Sequence, residues 1–200
     1  MTRIIAGDLG GRRIAVPPKG TRPTTDRVRE AVFSRLDHAD AMRGARVADL
    51  FAGSGALGLE ALSRGASAAV LVEAGSQAAR VLQANVRDLG LAGRAAVVRE
   101  KVRPYLERTD ATWDLVFLDP PYDIARDDLT GVLAALVPHL AAGAAVVLEW
   151  STRAGDAPWP AGIAPDRSRA YGETTVHYAT ASGVPDAAEG ASASVTERGE

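Results

Sequence analysis

The apolar run Leu115-Val116-Phe117-Leu118 leads directly into Asp119-Pro120-Pro121-Tyr122. If that run is a strand of an open α/β sheet, the four residues sit at its carboxyl end, where such sheets bind ligands. Two consecutive prolines lock φ and supply no N–H, which leaves carbonyls available as acceptors. The chemistry this suits is alkylation of an amino group on an aromatic base. Such a nitrogen is planar and a poor nucleophile, because its lone pair is delocalised into the ring. The Asp119 carboxylate and the Pro120 carbonyl can accept its two hydrogens and hold it in line with a methyl group on a sulfonium. Tyr122 can stack on the base. Positioning of this kind supplies several kcal/mol of barrier reduction. The plain alternative is an acidic proline turn that caps a strand.

A second constellation is Asp49-Leu50-Phe51-Ala52-Gly53-Ser54-Gly55-Ala56-Leu57-Gly58. Gly53, Gly55 and Gly58 have the G-x-G-x-x-G spacing of a tight turn between a strand and a helix, where a nucleotide-like ligand can approach the backbone. Glu73 ends the next strand, where its carboxylate can accept both ribose hydroxyl protons. By themselves these residues admit a nicotinamide dehydrogenase, an S-adenosylmethionine enzyme, or a turn that serves only packing. The Asp119–Tyr122 run separates the first two, because a dehydrogenase leaves it unexplained. The chain has no cysteine. That removes disulfides, cysteine-ligated zinc and iron–sulfur sites. It also removes the thiolate attack commonly used to methylate ring carbon five of a pyrimidine. Transfer to an exocyclic nitrogen needs no covalent intermediate and is the chemistry left.

The elements that must position these groups follow from periodicity. Val47–Phe51, Ala69–Glu73, Ala95–Val98, Leu115–Leu118 and Ala144–Trp150 read as short buried strands. Helices are expected from Leu57 to Ser63, Gln77 to Leu89, around Arg103 to Glu107, and Leu129 to Leu140. This alternation predicts a mostly parallel sheet covered on both faces. Ahead of it, Arg3–Gly7 and Gly10–Val16 read as two short strands around a Gly-containing turn, broken by Pro17-Pro18. A helix follows with Thr24-Thr25-Asp26 at its cap and Val28, Val32 and Leu36 at helical spacing. Arg169–Tyr171 and Thr174–Ala179 flank Gly172 as a closing hairpin. Residues from Ser182 onward have almost no large apolar side chains and are expected to be a disordered tail. The expected organisation is therefore 1–36 for substrate recognition, 37–181 for the catalytic domain, and 182–200 for the tail.

Composition limits the rest. With 46% apolar and 24% charged residues the 200-residue chain is in the ordinary globular range. No apolar run approaches the roughly 18 residues of a spanning helix, and no secretory leader is seen. Ten Arg/Lys stand against five Asp/Glu through Arg46, and thirteen against twenty thereafter. A basic front on an acidic body points to a phosphate-bearing partner; an ordinary solvated arm is the alternative. His38, His139 and His177 lack ligand spacing, so no metal is expected. Trp113 and Trp150 are expected to pack, and Asn85 to hydrogen-bond structurally.

Arg3-Ile4-Ile5-Ala6-Gly7, Gly11-Arg12 and the string Thr21-Arg22-Pro23-Thr24-Thr25-Asp26-Arg27-Val28-Arg29-Glu30-Ala31-Val32-Phe33 resemble the N-terminal signature of the RsmD family. Those enzymes methylate N2 of guanine 966 in bacterial 16S ribosomal RNA. The Asp49–Gly58 turn, Glu73, Asn85, Asp119–Tyr122 and Tyr171-Gly172-Glu173-Thr174 match as well, so the resemblance covers about residues 3 to 180. It implies a class I S-adenosylmethionine-dependent methyltransferase: a Rossmann-like, seven-stranded, mostly parallel sheet with the last strand antiparallel, preceded by a small hairpin and helix. It implies a substrate in the assembling small ribosomal subunit. A cytoplasmic monomer with neither metal nor membrane is the expectation.

The expected catalytic residues are Asp119, Pro120 and Tyr122. The expected cofactor contacts are Asp49, Phe51, Gly53, Ser54, Gly55, Glu73, Glu100, Val102 and Asp119. Relatives often carry Asp or Asn where this chain has Lys101, so Glu100 or the Val102 backbone is expected to face the adenine. Arg12, Arg13, Arg22, Thr24, Arg27 and Arg29 are the expected RNA contacts, with Lys19 beside them. A DNA amino-methyltransferase acting on adenine N6 or cytosine N4 shares the Asp-Pro-Pro-Tyr logic. A non-catalytic RNA-binding assembly factor needs only the basic arm.

Overall fold

The computed structural model describes residues 2–17 and 26–182. Strands β1 (Thr2–Arg3) and β2 (Arg13–Ile14) precede helix α1 (Asp26–His38). The main alternation is β3 (Arg46–Leu50), α2 (Ala56–Ser63), β4 (Ala68–Val72), α3 (Ser76–Asp88), β5 (Ala95–Val98), α4 (Val102–Arg108), β6 (Trp113–Leu118) and α5 (Arg126–Leu136). It closes with β7 (Leu140–Ser151), β8 (Ile163–Tyr171) and β9 (Thr174–Ala181). Seven strands form one sheet in the order β5-β4-β3-β6-β7-β9-β8. From β5 to β7 all neighbours are parallel; β9 runs antiparallel to both β7 and β8. The chain leaves β3 toward β4 and β5, then returns to place β6 on the other side of β3. That reversal makes the carboxyl ends of β3 and β6 the topological switch point, where a crevice opens between diverging connections. The register Leu50↔Leu118 sets those two ends side by side.

Two apolar layers hold the sheet. On one face, Val28, Val32, Phe33 and Leu36 of α1 pack with α2, α3 and strand residues such as Leu71, Leu115 and Phe117. The Phe33 and Phe117 rings meet at 5.7 Å, tilted by 50°. On the other face, α4 and α5 cover Leu50, Val116, Leu118, Leu148 and Trp150. Burying each such side chain contributes about 1.5–3 kcal/mol. Trp113, 3% exposed, packs against Tyr105 and His139, and Trp150 is 6% exposed, so both tryptophans belong to packing. No helix among the described residues is long and apolar enough to cross a membrane.

The N-terminal hairpin differs from the expected pair of five- to seven-residue strands. Only Thr2↔Ile14 and Arg3↔Arg13 pair. The loop between them is held by side chains of α2 instead of a ladder. The fully buried Glu60 accepts the Ile5 and Ala6 amides at 2.6 and 3.0 Å, and the Ser63 hydroxyl donates to the Ala6 carbonyl at 2.6 Å. Helix α1 runs to His38, two residues past the expected boundary, and its apolar stripe belongs to the same core as β3 and β6. The backbone stays tied through Ser182, whose amide donates to the Gly162 carbonyl at 2.9 Å; the rest of the expected tail, 183–200, lies outside the described residues.

Candidate active site

At the end of β3 the chain turns sharply against the end of β4. The Phe51 and Ala52 amides both donate to the Val72 carbonyl, at 3.1 and 2.8 Å, and Phe51 takes a left-handed φ of 79°. That conformation costs a non-glycine residue about 1–2 kcal/mol, which the surrounding turn must offset. Gly55 caps α2 with φ 84°, and a Cβ there would lie 2.4 Å from Leu82 Cδ1. A Cβ on Gly58 would lie 2.3 Å from Leu71 Cδ2 and 3.1 Å from Asp49 Cβ. These two glycines therefore serve close packing of α2 on the sheet. The Gly58 amide donates to Asp49 Oδ2 at 2.9 Å.

Glu73, just past β4, is held from both sides. Its Oε2 accepts the Gly53 amide at 2.9 Å and its Oε1 the Gly75 amide at 2.6 Å. Each carboxylate oxygen keeps a further lone pair for a ligand. Asp49 is buried, and burial pushes its carboxyl up to about 7 from 3.8. The Gly58 amide opposes this shift, while the negative Asp119 and Glu73 reinforce it. Three carboxylates within electrostatic reach of one another favour a positively charged ligand.

Asp119 follows Leu118 at the end of β6 and is half-buried; Tyr122 is 55% exposed. Among the described residues the Pro121 carbonyl accepts the Ile124 amide at 3.0 Å, and no hydrogen bond reaches the Pro120 carbonyl. The Tyr122 hydroxyl and Thr174 Oγ1 are 2.5 Å apart, which tethers the aromatic ring to the start of β9.

One cavity of about 1050 Å³ unites these groups. Asp49, Phe51, Gly53, Ser54, Glu73 and Val102 line it, and so do Asp119, Pro120 and Tyr122. Its size is at the top of the usual range for small-molecule sites, so it has room for a nucleoside-sized ligand and part of a second one. Val16 and Pro17 of the N-terminal segment also form its wall, as do Ser76–Ala78 at the start of α3 and Asp123 and Asp128. None of these carried a motif in the sequence; Ser76–Ala78 and Asp123 continue the runs from Glu73 and Tyr122, while Val16, Pro17 and Asp128 reach the cavity through packing.

Three expected contacts are corrected. Gly55 does not line the cavity, because its α-carbon faces Leu82 and Leu59. Glu100 does not line it either. Its Oε2 accepts Arg108 Nε at 2.9 Å and Nη2 at 2.5 Å, and the hydrogen bond from this guanidinium holds its carboxyl below the usual range. Lys101 and Val102 take that stretch of wall. Arg29, expected at a phosphate, is fully buried: its Nη2 donates to the Arg3 carbonyl at 2.8 Å and to Asp26 Oδ1 at 2.7 Å. It borders the cavity from inside, with Nε lacking a hydrogen-bond partner.

Of the remaining basic positions, Arg12, Arg13 and Arg27 are exposed, and Arg12 Nη2 donates to the Asp88 carbonyl at 2.7 Å. Lys19, Arg22 and Thr24 lie outside the described residues. Asn85 is 4% exposed and makes the structural hydrogen bonds expected of it.

The family model described as "Conserved hypothetical protein 95" matches residues 2–180. Over 121 residues the chain is 46% identical to Ribosomal RNA small subunit methyltransferase D of Escherichia coli K12, a match covering 60% of each chain. The chain belongs to the RsmD family. Another curated relative, the Putative rRNA methyltransferase YlbH of Bacillus subtilis, is 39% identical over 124 residues, 60% of this chain and 66% of that one. The chain thus aligns with under two thirds of the length of these RsmD-family relatives. A solved structure of the Putative methyltransferase yhhF from Escherichia coli superposes with a TM-score of 0.81 at 35% identity, over 90% of this chain and 97% of that one. The fold is that of class I S-adenosylmethionine-dependent methyltransferases.

Proposed function

We propose that this chain transfers a methyl group from S-adenosylmethionine to N2 of a guanine in 16S ribosomal RNA, guanine 966, presented by the assembling small subunit. One observation carries this reading. Asp119 and Pro120 share a cavity with Glu73 and Gly53, at the ends of strands whose last residues are in register, Leu50↔Leu118. Support for RNA as the substrate comes from the names of the two curated relatives and from the basic N-terminal segment.

The residues present fit the cofactor. Glu73, fixed by two backbone amides, leaves lone pairs for the two ribose hydroxyls. Gly53 and Ser54 bring backbone close to the ligand, Phe51 and Val102 supply apolar wall, and Asp49 supplies negative charge. The unpartnered Nε of Arg29 marks a buried donor at the edge of the same space. When bound, the cofactor supplies an electrophilic methyl on a positively charged sulfur.

The chain's own part is to position the amine. Asp119 and the Pro120 carbonyl accept the two amino hydrogens, which turns the nitrogen toward the methyl and raises its electron density. Tyr122, tethered to Thr174, offers its face to the flipped-out base. The Asp119 carboxylate is also a base available to the proton that the nitrogen sheds. Arg12, Arg13 and Arg27, with Arg22 and Thr24, contact the RNA backbone.

The test is to purify small subunits from cells lacking this protein, incubate them with the protein and labelled S-adenosylmethionine, and map the label. N2-methylguanine at position 966 is the expected product. Label that enters duplex DNA instead, or lands on an adenine or cytosine amine, would overturn the reading.

A further inference from the structure

We propose that Asn85 is a positioning residue that joins the basic N-terminal segment to the cofactor turn, so that order in one favours ligand binding at the other. This rests on the reading of the cavity as a cofactor site.

Asn85 sits on the buried face of α3. Its Oδ1 accepts the Ala15 amide at 2.9 Å, and its Nδ2 donates to the Ala15 carbonyl and to the Ser54 carbonyl, both at 2.9 Å. Both amide donors and the acceptor are thereby used. The two bonds to Ala15 take up both of its backbone polar groups, as a neighbouring strand would. They come one residue past the last hairpin pair, Thr2↔Ile14.

The two segments so joined are adjoining parts of the wall of one space. Val16 and Pro17, directly after Ala15, line the cavity, and so does Ser54, between Gly53 and Gly55 in the turn. One side-chain amide therefore sets the spacing between the wall that leads into the basic segment and the wall that meets the cofactor. A ligand filling the cavity meets both. Binding should quiet the Ala15 segment, and by linkage an ordered segment should tighten ligand binding by the same factor.

Amide hydrogen exchange in the full-length protein tests this, with S-adenosylhomocysteine as the probe. Four chains are compared: wild type, Asn85→Ala, Asn85→Asp and Glu60→Gln. Asn85→Asp keeps an acceptor for the Ala15 amide but loses both donors. Glu60→Gln loosens the hairpin at its Ile5 and Ala6 contacts and serves as the purely structural control.

In wild type the ligand should slow exchange at residues 12–16 by about fivefold or more, within the usual range of coupling between sites. Both Asn85 variants should lose that response and bind the probe about as much more weakly. Glu60→Gln should lower the melting temperature yet keep the response. Wild type that binds the probe with exchange at 12–16 unchanged would sink the coupling alone, and so would an equal loss of response in Glu60→Gln. Wild type that does not bind the probe at all would sink the cofactor reading and the coupling together.

Discussion

Glu73 reaches across from the end of β4 to accept the Gly53 amide at 2.9 Å, so its carboxylate and the turn at the end of β3 form one rigid unit on the cavity wall. The second oxygen is pinned by Gly75 at 2.6 Å. A carboxylate fixed this way can accept from ligand hydroxyls without losing side-chain freedom on binding.

Replacing Glu73 with Gln keeps the shape but leaves one backbone amide facing an amide nitrogen and removes the negative charge. Hydrogen bonds to charged groups contribute about 1.5–3 kcal/mol, so cofactor affinity should fall by about 10- to 100-fold. Calorimetric titration with S-adenosylhomocysteine measures it, and unchanged affinity would remove Glu73 from the site.

Asp49 should make both stability and ligand binding depend on pH. Its carboxyl is pushed up to about 7 in the folded chain, mainly by burial. The folded state therefore holds a proton that the unfolded state releases near pH 4. The stabilisation is fully present below that pH, is lost as pH rises toward 7, and changes little above it. Asp49→Asn removes the cost of ionisation and should raise the melting temperature by roughly 5 °C at pH 8 but not at pH 4.5. A positively charged cofactor favours the ionised form, so wild-type affinity should rise as pH passes through 7, by up to about tenfold per unit below it. Melting curves from pH 4.5 to 8 and binding isotherms across pH 6–8 check both signs.

Arg27 and Arg29 lie two residues apart and should respond in opposite ways. Arg27 is exposed, so Arg27→Glu should leave stability intact while weakening binding to small subunits. It should also flatten the dependence of affinity on salt by about 0.7–0.9 in log–log slope for each phosphate no longer neutralised. Arg29 is buried on the Arg3 and Ala56 carbonyls, so Arg29→Ala should cost about 3 kcal/mol and lower the melting temperature by roughly 10 °C. Filter binding across a salt series and thermal melts separate the two outcomes.

The ends of β3, β4 and β6 were legible in the sequence because each couples an apolar run to telling residues: glycines after β3, a carboxylate after β4, and prolines after β6. Helix faces were harder. Arg29 belongs with Val32, Phe33 and Leu36 at i, i+3, i+4 and i+7, which places it on the buried stripe. That spacing is in the sequence, but a positive charge in a basic stretch points the other way, to the surface. Asn85 lies on its stripe in the same way, with Leu82, Val86 and Leu89. Glu100 departs from expectation because β5 ends at Val98, so alternation no longer fixes which way a side chain points; Arg108, at the end of α4, captures it. The wall built by Val16 and Pro17 had no local signal, since it meets the cavity through contacts distant in sequence, whereas Ser76–Ala78 simply continue the lining run from Glu73.

Asp119 offers the most direct test. Single-turnover methyl transfer to undermethylated small subunits should be measured for Asp119→Ala alongside its affinity for S-adenosylhomocysteine. Transfer should fall by about 10²-fold or more while affinity stays within a few-fold of wild type, as expected for a group that orients the reacting nitrogen. Transfer at the wild-type rate, with the cofactor bound normally, would contradict the placement of the target amine between Asp119 and the Pro120 carbonyl.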